Sequence, residues 1–215
     1  MKDGWRWYVP VFAGVVAWTV APVRAETPVE TFVQQSVDRG IAVLKDKSLD
    51  DAARRKQIGE FLAEVLDTKT MAMFMLGAAR EKAAPSDVDA YAEVYKAFTI
   101  ASYESQLNGY GGETLKVTGS VERAPGDYVV NAVVIDPSAP NNPMQIPIGF
   151  RVEDEGGGKF AVVDASVAGI WLGLAQRADF GGYLSQHADS VPALTTHLQE
   201  VTAKLSPPST AAAAR

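Results

Sequence analysis

The sequence predicts an α+β fold: N-terminal helices, a curved four-stranded antiparallel sheet, then C-terminal helices, together enclosing an apolar cavity. Three observations lead there. Apolar residues before Gly109 recur at helical steps, and after Gly112 the period drops from about 3.6 residues to about 2. The alternating runs are separated by turn-forming clusters, as hairpins require. After Val167 the helical period returns. Strands grouped between two helical blocks form an antiparallel meander with helices against one face.

The first element is a leader. Lys2 and Arg6 give a basic start, and Trp7 to Val23 carries no charge. That run is shorter than the about 20 apolar residues a membrane-spanning helix needs, and Pro10 and Pro22 interrupt it. Val23-Arg24-Ala25 has the small residues of a signal-peptidase site, so the sequence predicts a secretory signal over 1–25, cut between Ala25 and Glu26. No Arg-Arg pair precedes the apolar run. The exported chain is read as one domain over 26–205, a helical lobe plus a sheet lobe, with a Pro- and Ala-rich disordered tail over 206–215.

In the first helix Val29, Phe32, Val33, Val37, Ile41 and Leu44 share a face between Thr27 and Leu44. Ser48-Leu49-Asp50-Asp51 starts a second, with Ile58, Phe61, Leu62, Val65 and Leu66 on one side. Met71 to Leu76 is a short apolar helix ended by Gly77. A longer helix runs from Ser86 to about Asn108, with Ser86 and Asp89 as a capping box. The strands are read as Leu115–Val121, Tyr128–Ile135, Met144–Val152 and Phe160–Val167. Ala124-Pro125-Gly126-Asp127, the Pro/Asn-rich stretch Asp136–Pro143 and the Gly-rich stretch Glu153–Lys159 connect them. Helices near Leu172–His187 and Val191–Leu205 close the domain.

Composition excludes several functions. The chain carries a formal charge of −6. Lys2, Arg6 and Arg24 against Asp3 leave the leader at +2, so the exported part stands at −8. Such a surface repels nucleic acid, whose phosphates need clustered Lys and Arg, and it disfavours anionic lipid headgroups. With no cysteine there is no disulfide, thiolate metal site, Cys nucleophile or lipidated N-terminal Cys. The two histidines, His187 and His197, lack i,i+4 ligand spacing and read as structural or surface residues, so no metal is expected. No G-x-S-x-G, H-E-x-x-H or P-loop occurs, and no cofactor is expected. Gly109-Tyr110-Gly111-Gly112 ends a helix before a strand, the reverse of a dinucleotide-binding turn. Asp164 interrupts the apolar run Phe160–Val167, and a charge there needs a partner. Arg177 on the following helix is the expected one, a structural ion pair. No catalytic residue is expected.

Large apolar side chains are abundant instead: Met71, Met73, Phe74, Met75 and Leu76, then Tyr91, Tyr95, Phe98, Tyr103 and Tyr110, then Phe150, Ile170, Trp171 and Leu172. Helical aromatic stripes are most often core, while Met-rich segments also suit pliable cavities.

The order and spacing of three tracts carry a resemblance. Phe61-Leu62 leads past Asp67 into Met71…Leu76-Gly77. Tyr91, Phe98, Tyr103 and Leu107 precede Tyr110-Gly111-Gly112-Glu113. Val163-Asp164-Ala165-Ser166-Val167-Ala168-Gly169-Ile170-Trp171-Leu172 is followed by Arg177 and Phe180. Over roughly Glu30–Leu205 the chain resembles the MlaC-like periplasmic lipid-carrier family, the toluene-tolerance proteins, and within it the hopanoid-associated HpnM branch. It departs from the family at Ala78-Ala79-Arg80, where an aromatic is usual, at Ala168, where an acid is common, and at Trp171, where a small polar residue is common.

The resemblance implies a periplasmic, non-enzymatic shuttle. Its cargo would be a phospholipid or hopanoid, and its partners an inner-membrane ABC transporter complex and an outer-membrane acceptor. The expected lipid-lining residues are Phe74, Tyr95, Phe98, Tyr103, Ile146, Ile148, Phe150 and Trp171, with Asp164 and Arg177 structural. On the residues alone two other readings stay open. One is a small cone-shaped α+β enzyme using Asp136 or Asp164 as a base whose pKa an apolar pocket raises. The other is an envelope adaptor protein with an apolar docking face.

Overall fold

The computed structural model describes residues 26–107, 110–138 and 145–205. The predicted leader, the 206–215 tail, Gly109 and Met144 lie outside them. Thr27 starts the first helix, α1 (Pro28–Lys45), through the reciprocal pair a capping box requires: Glu30 N–H donates to Thr27 Oγ1 and Thr27 N–H to Glu30 Oε2. The Glu30 carboxylate, 4 % exposed, also accepts the Ser120 hydroxyl at 2.7 Å, so the cap ties α1 to the sheet.

The second helix, α2 (Asp51–Val65), is capped by Asp50, which accepts the Ala53 N–H at 2.7 Å. Asp67 does the same for α3 (Thr68–Leu76), accepting from Thr70 at 2.9 Å. Gly77 ends α3 at φ +51°, a backbone region costly for any residue with a Cβ. A single turn, α4 (Ala79–Lys82), comes next, without a period long enough to read.

The longest helix, α5 (Pro85–Leu107), departs from the expected start. Val88 N–H donates to Ala84 O, so the chain is already helical at Pro85, and Ser86 falls inside the first turn. Ser86 therefore cannot cap this helix. Proline fits the first helical position because its missing N–H has no partner there anyway.

The sheet runs β1 (Thr114–Ala124), β2 (Asp127–Ile135), β3 (Pro147–Gly156), β4 (Lys159–Val167) and β5 (Ile170–Trp171), neighbour to neighbour and antiparallel throughout. It has five strands, not the expected four. The extra strand is two residues long, and two residues carry no alternation to read. It folds back through Ala168 and Gly169, both at positive φ, the signature of a two-residue hairpin turn. Edge strand β1 is closed off by α1: the Gln34 side-chain amide donates to Leu115 O and accepts the Val117 N–H, occupying ladder groups that a foreign strand would seek. At the other side, Asp67 N–H donates to Val162 O, joining the α2–α3 link to β4. The closing helices are α6 (Leu172–Gln186) and α7 (Val191–Leu205), at almost the expected bounds.

Candidate functional site

Burial divides the apolar interior in two. The helical cluster gathers Met71, Ala72, Met75 and Leu76 of α3, Tyr91 and Tyr95 of α5, Phe180 and Leu184 of α6, and Val191, Leu194 and Leu198 of α7. The sheet cluster gathers Val29 and Val33 of α1, Val65 of α2, and Val130, Val152 and Val162 of the strands. Of the residues that form or pack against either cluster, Leu66 alone is common to both.

The expected lining residues fall on both sides of this division. Tyr95 is fully buried, donates its hydroxyl to Gln176 Oε1 at 2.7 Å, and meets Phe180 edge-on at 6.3 Å. Half-buried Phe98 lies 6.0 Å from Phe180 and 6.3 Å from Tyr95, and half-buried Phe74 packs on the same cluster. Tyr103 lies two helical turns beyond Tyr95. Burial, then the charge of Asp164, pushes its phenol above the usual tyrosine range, and Asp164 acts on Tyr95 in the same sense. That part of α5 therefore faces the Asp164 side of β4.

Ile148 and Phe150 are half-buried on β3 and alternate with Val152, so they share the face that packs on the sheet cluster. Trp171 is on the opposite face. It pairs with Ser166, which pairs with Gly149, and a Cβ built on Gly149 would lie 3.6 Å from the Trp171 ring. Phe74, Tyr95 and Phe98 are thus brought together, while Ile148 and Phe150 stand apart from them and from Trp171. Ile146, just before β3, is 45 % exposed. With Ile135, Val167, Ile170, Leu172 and Leu174 it forms an exposed apolar rim at one end of the sheet, where the pairs Ile148–Val167 and Val167–Ile170 also lie.

Asp164 and Arg177 are not ion-paired. The Asp164 carboxylate accepts the Ala165 N–H at 2.7 Å and the Gly173 N–H at 2.9 Å. It caps the start of α6 from the neighbouring strand, satisfying a helix N–H that has no partner within the helix. The contact requires glycine at 173, since a Cβ there would stand 2.8 Å from Oδ2. Arg177 instead lays its guanidinium over the Phe74 ring, 4.6 Å from the centroid. The opposite-charge rule chose a plausible partner, but backbone N–H groups lie closer to the carboxylate.

Around that stacked pair opens a cleft of about 680 Å³, lined by Lys69, Thr70, Met73 and Phe74 of α3, Gly77, Ala78, Arg80, Glu81 and Arg177. The sequence singles out Phe74 and Arg177 as site residues; Arg80 enters only as part of the departure Ala78-Ala79-Arg80, and Lys69 not at all. The available signal was a pair of cations flanking the Met-rich run.

The other candidates are engaged elsewhere. The Asp136 carboxylate accepts both the N–H and the hydroxyl of Ser138. His187 and His197 both stack on Tyr183, at 3.9 and 4.5 Å. Among the described residues no three His, Cys, Asp or Glu side chains are placed to hold a metal, and no helix is long and apolar enough to cross a membrane. The Tyr91 hydroxyl is buried without a hydrogen-bond partner among the described residues.

The fold is shared with a solved structure. A phospholipid-binding protein from Ralstonia solanacearum, determined in complex with a phospholipid, superposes with a TM-score of 0.67 at 22 % identity, covering 84 % of this chain and 99 % of that one. No curated protein sequence matches the chain. The family model described as MlaC protein matches residues 34–200. The chain belongs to the MlaC protein family.

Proposed function

We propose that this protein is a soluble, non-enzymatic periplasmic carrier that shuttles a phospholipid or hopanoid between an inner-membrane ABC transporter complex and an outer-membrane acceptor. The observation that carries the reading is the division of the apolar interior into two clusters that, among the described residues, share only Leu66 as a packing residue, with half-buried Phe98, Tyr103 and Trp171 outside the fully buried set. A lipid tail entering between two separately packed clusters breaks neither. The need is large: an acyl chain of about 16 carbons costs on the order of 12 kcal/mol in water. Shielding it takes apolar surface and no catalytic group. The solved relative holding a phospholipid on this fold supports the same reading, and the exposed rim from Ile135 to Leu174 suits the entry of an apolar chain.

The test is native mass spectrometry of the exported protein purified without detergent, followed by solvent extraction. A bound mass of lipid size is expected, and its identity separates phospholipid from hopanoid. The same spectrum reads the leader, since cleavage gives a chain beginning at Glu26. A bare chain, still bare after incubation with membranes, would overturn the carrier reading.

A further inference from the structure

The cleft beside Phe74 has a charge opposite to the rest of the molecule. Lys69, Arg80 and Arg177 converge on it against one acid, Glu81, in a chain whose exported part stands at −8. None of the three makes an ion pair or hydrogen bond among the described residues. Lys45, Lys96 and Lys204 are likewise unpaired among the described residues, but they are scattered and none of them lines this cleft. Three left unpaired around one concavity are arranged for an anion from outside.

The geometry narrows the anion. Lys69, Met73 and Gly77 are spaced i, i+4, i+8 along α3, so one stripe of that helix runs from a cation through an apolar floor to the turn before Arg80. Gly77 lets the backbone pass where a Cβ would stand 2.8 Å from Arg177 Nη2. With its Cζ over the Phe74 ring and no hydrogen bond among the described residues, the guanidinium has N–H groups left for a phosphate oxygen pair. Phe74 itself packs against the helical core, so the floor of the cleft continues into the apolar interior.

From this we infer that the cleft binds the phosphate ester of an anionic lipid headgroup, with Lys69, Arg80 and Arg177 as its ligands and Met73 and Phe74 under the glycerol. The inference rests on the carrier reading and adds a preference to it. Cargo with net negative charge is favoured over zwitterionic phospholipid, and over a hopanoid without phosphate.

The experiment loads the exported chain from vesicles of equal phosphatidylglycerol and phosphatidylcholine and counts each bound lipid by native mass spectrometry. An exposed charge pair contributes up to about fivefold, so the expected preference for phosphatidylglycerol is about fivefold or more. It should shrink as ionic strength rises. Lys69→Gln with Arg80→Gln should bring the ratio close to one, and Lys45→Gln with Lys204→Gln, equal in net charge but remote, should leave it in place. Both cleft side chains are exposed and unpartnered, so the variants keep the fold, checked by circular dichroism. A ratio near one in the unmodified protein, or one unmoved by the cleft pair, overturns the site while leaving the carrier reading intact. Failure to load either lipid overturns both. Millimolar inorganic phosphate, titrated into lipid-free protein and followed by amide shifts at Lys69 and Arg80, gives the remaining arm. Saturable phosphate binding there, in a protein whose phosphatidylglycerol to phosphatidylcholine ratio is itself near one, would make free phosphate the ligand and refute the headgroup assignment.

Discussion

Replacing Gly173 by alanine tests whether Asp164 is held by the start of α6. The new Cβ would stand 2.8 Å from Asp164 Oδ2 and 2.9 Å from Oδ1 and Cγ, well inside contact distance, so the carboxylate must move. Moving it breaks the 2.9 Å bond from the Gly173 N–H, while the 2.7 Å bond from the adjacent Ala165 N–H can follow the side chain. A hydrogen bond to a charged group contributes about 1.5–3 kcal/mol, and a carboxylate at a helix start about 0.3–1 kcal/mol. Alanine returns up to about 1 kcal/mol of helix propensity. The net expectation is a loss of about 1–2 kcal/mol, read as the shift in urea midpoint, or about 2–8 °C in melting temperature for a chain of this size. The decisive comparison is the double-mutant cycle. Once Asp164→Ala has removed the obstructing atoms, Gly173→Ala should become neutral or stabilising, a coupling of about 1.5 kcal/mol or more. If Gly173→Ala costs the same in both backgrounds, the carboxylate does not constrain position 173 and the capping account is wrong.

Tyr91→Phe removes a buried hydroxyl without a partner and should leave stability unchanged or raise it by up to about 1 kcal/mol, whereas Tyr95→Phe loses the bond to Gln176 and should cost about 1 kcal/mol, both by urea unfolding. Ala168, at φ +50°, bears a left-handed backbone strain that Ala168→Gly relieves, for a gain of up to about 1–2 kcal/mol on thermal melting. Phe98→Trp and Ile148→Trp should each lower the bound-lipid fraction in native mass spectra with circular dichroism unchanged. Retention of cargo by both would remove these residues from the lining.

The helix ends were legible because local chemistry sets them. Gly77 ends α3 because only glycine accepts that backbone cheaply, while the Thr27–Glu30 capping box that starts α1, equally local, is not singled out by the periodicity that places the helix. Where two local signals competed, the stiffer one prevailed: the Ser86–Asp89 pattern yielded to Pro85, whose ring already fixes a helical φ.

What the sequence by itself determined is what repeats along the chain or adds over it: the class of fold, four of the strands, the helices long enough to show a period, and the acidic, cysteine-free composition. What only the tertiary structure decided is which separated residues meet. Asp164 is claimed by a backbone N–H nine residues on, not by the charge of Arg177, because a helix start offers unpartnered donors at shorter range. Ile148 and Trp171 fall on opposite faces of the sheet because register, not composition, assigns a face. Lys69, Arg80 and Arg177 share one cleft because α3 and α6 pack side by side, and no periodicity within either helix records what the other brings to it.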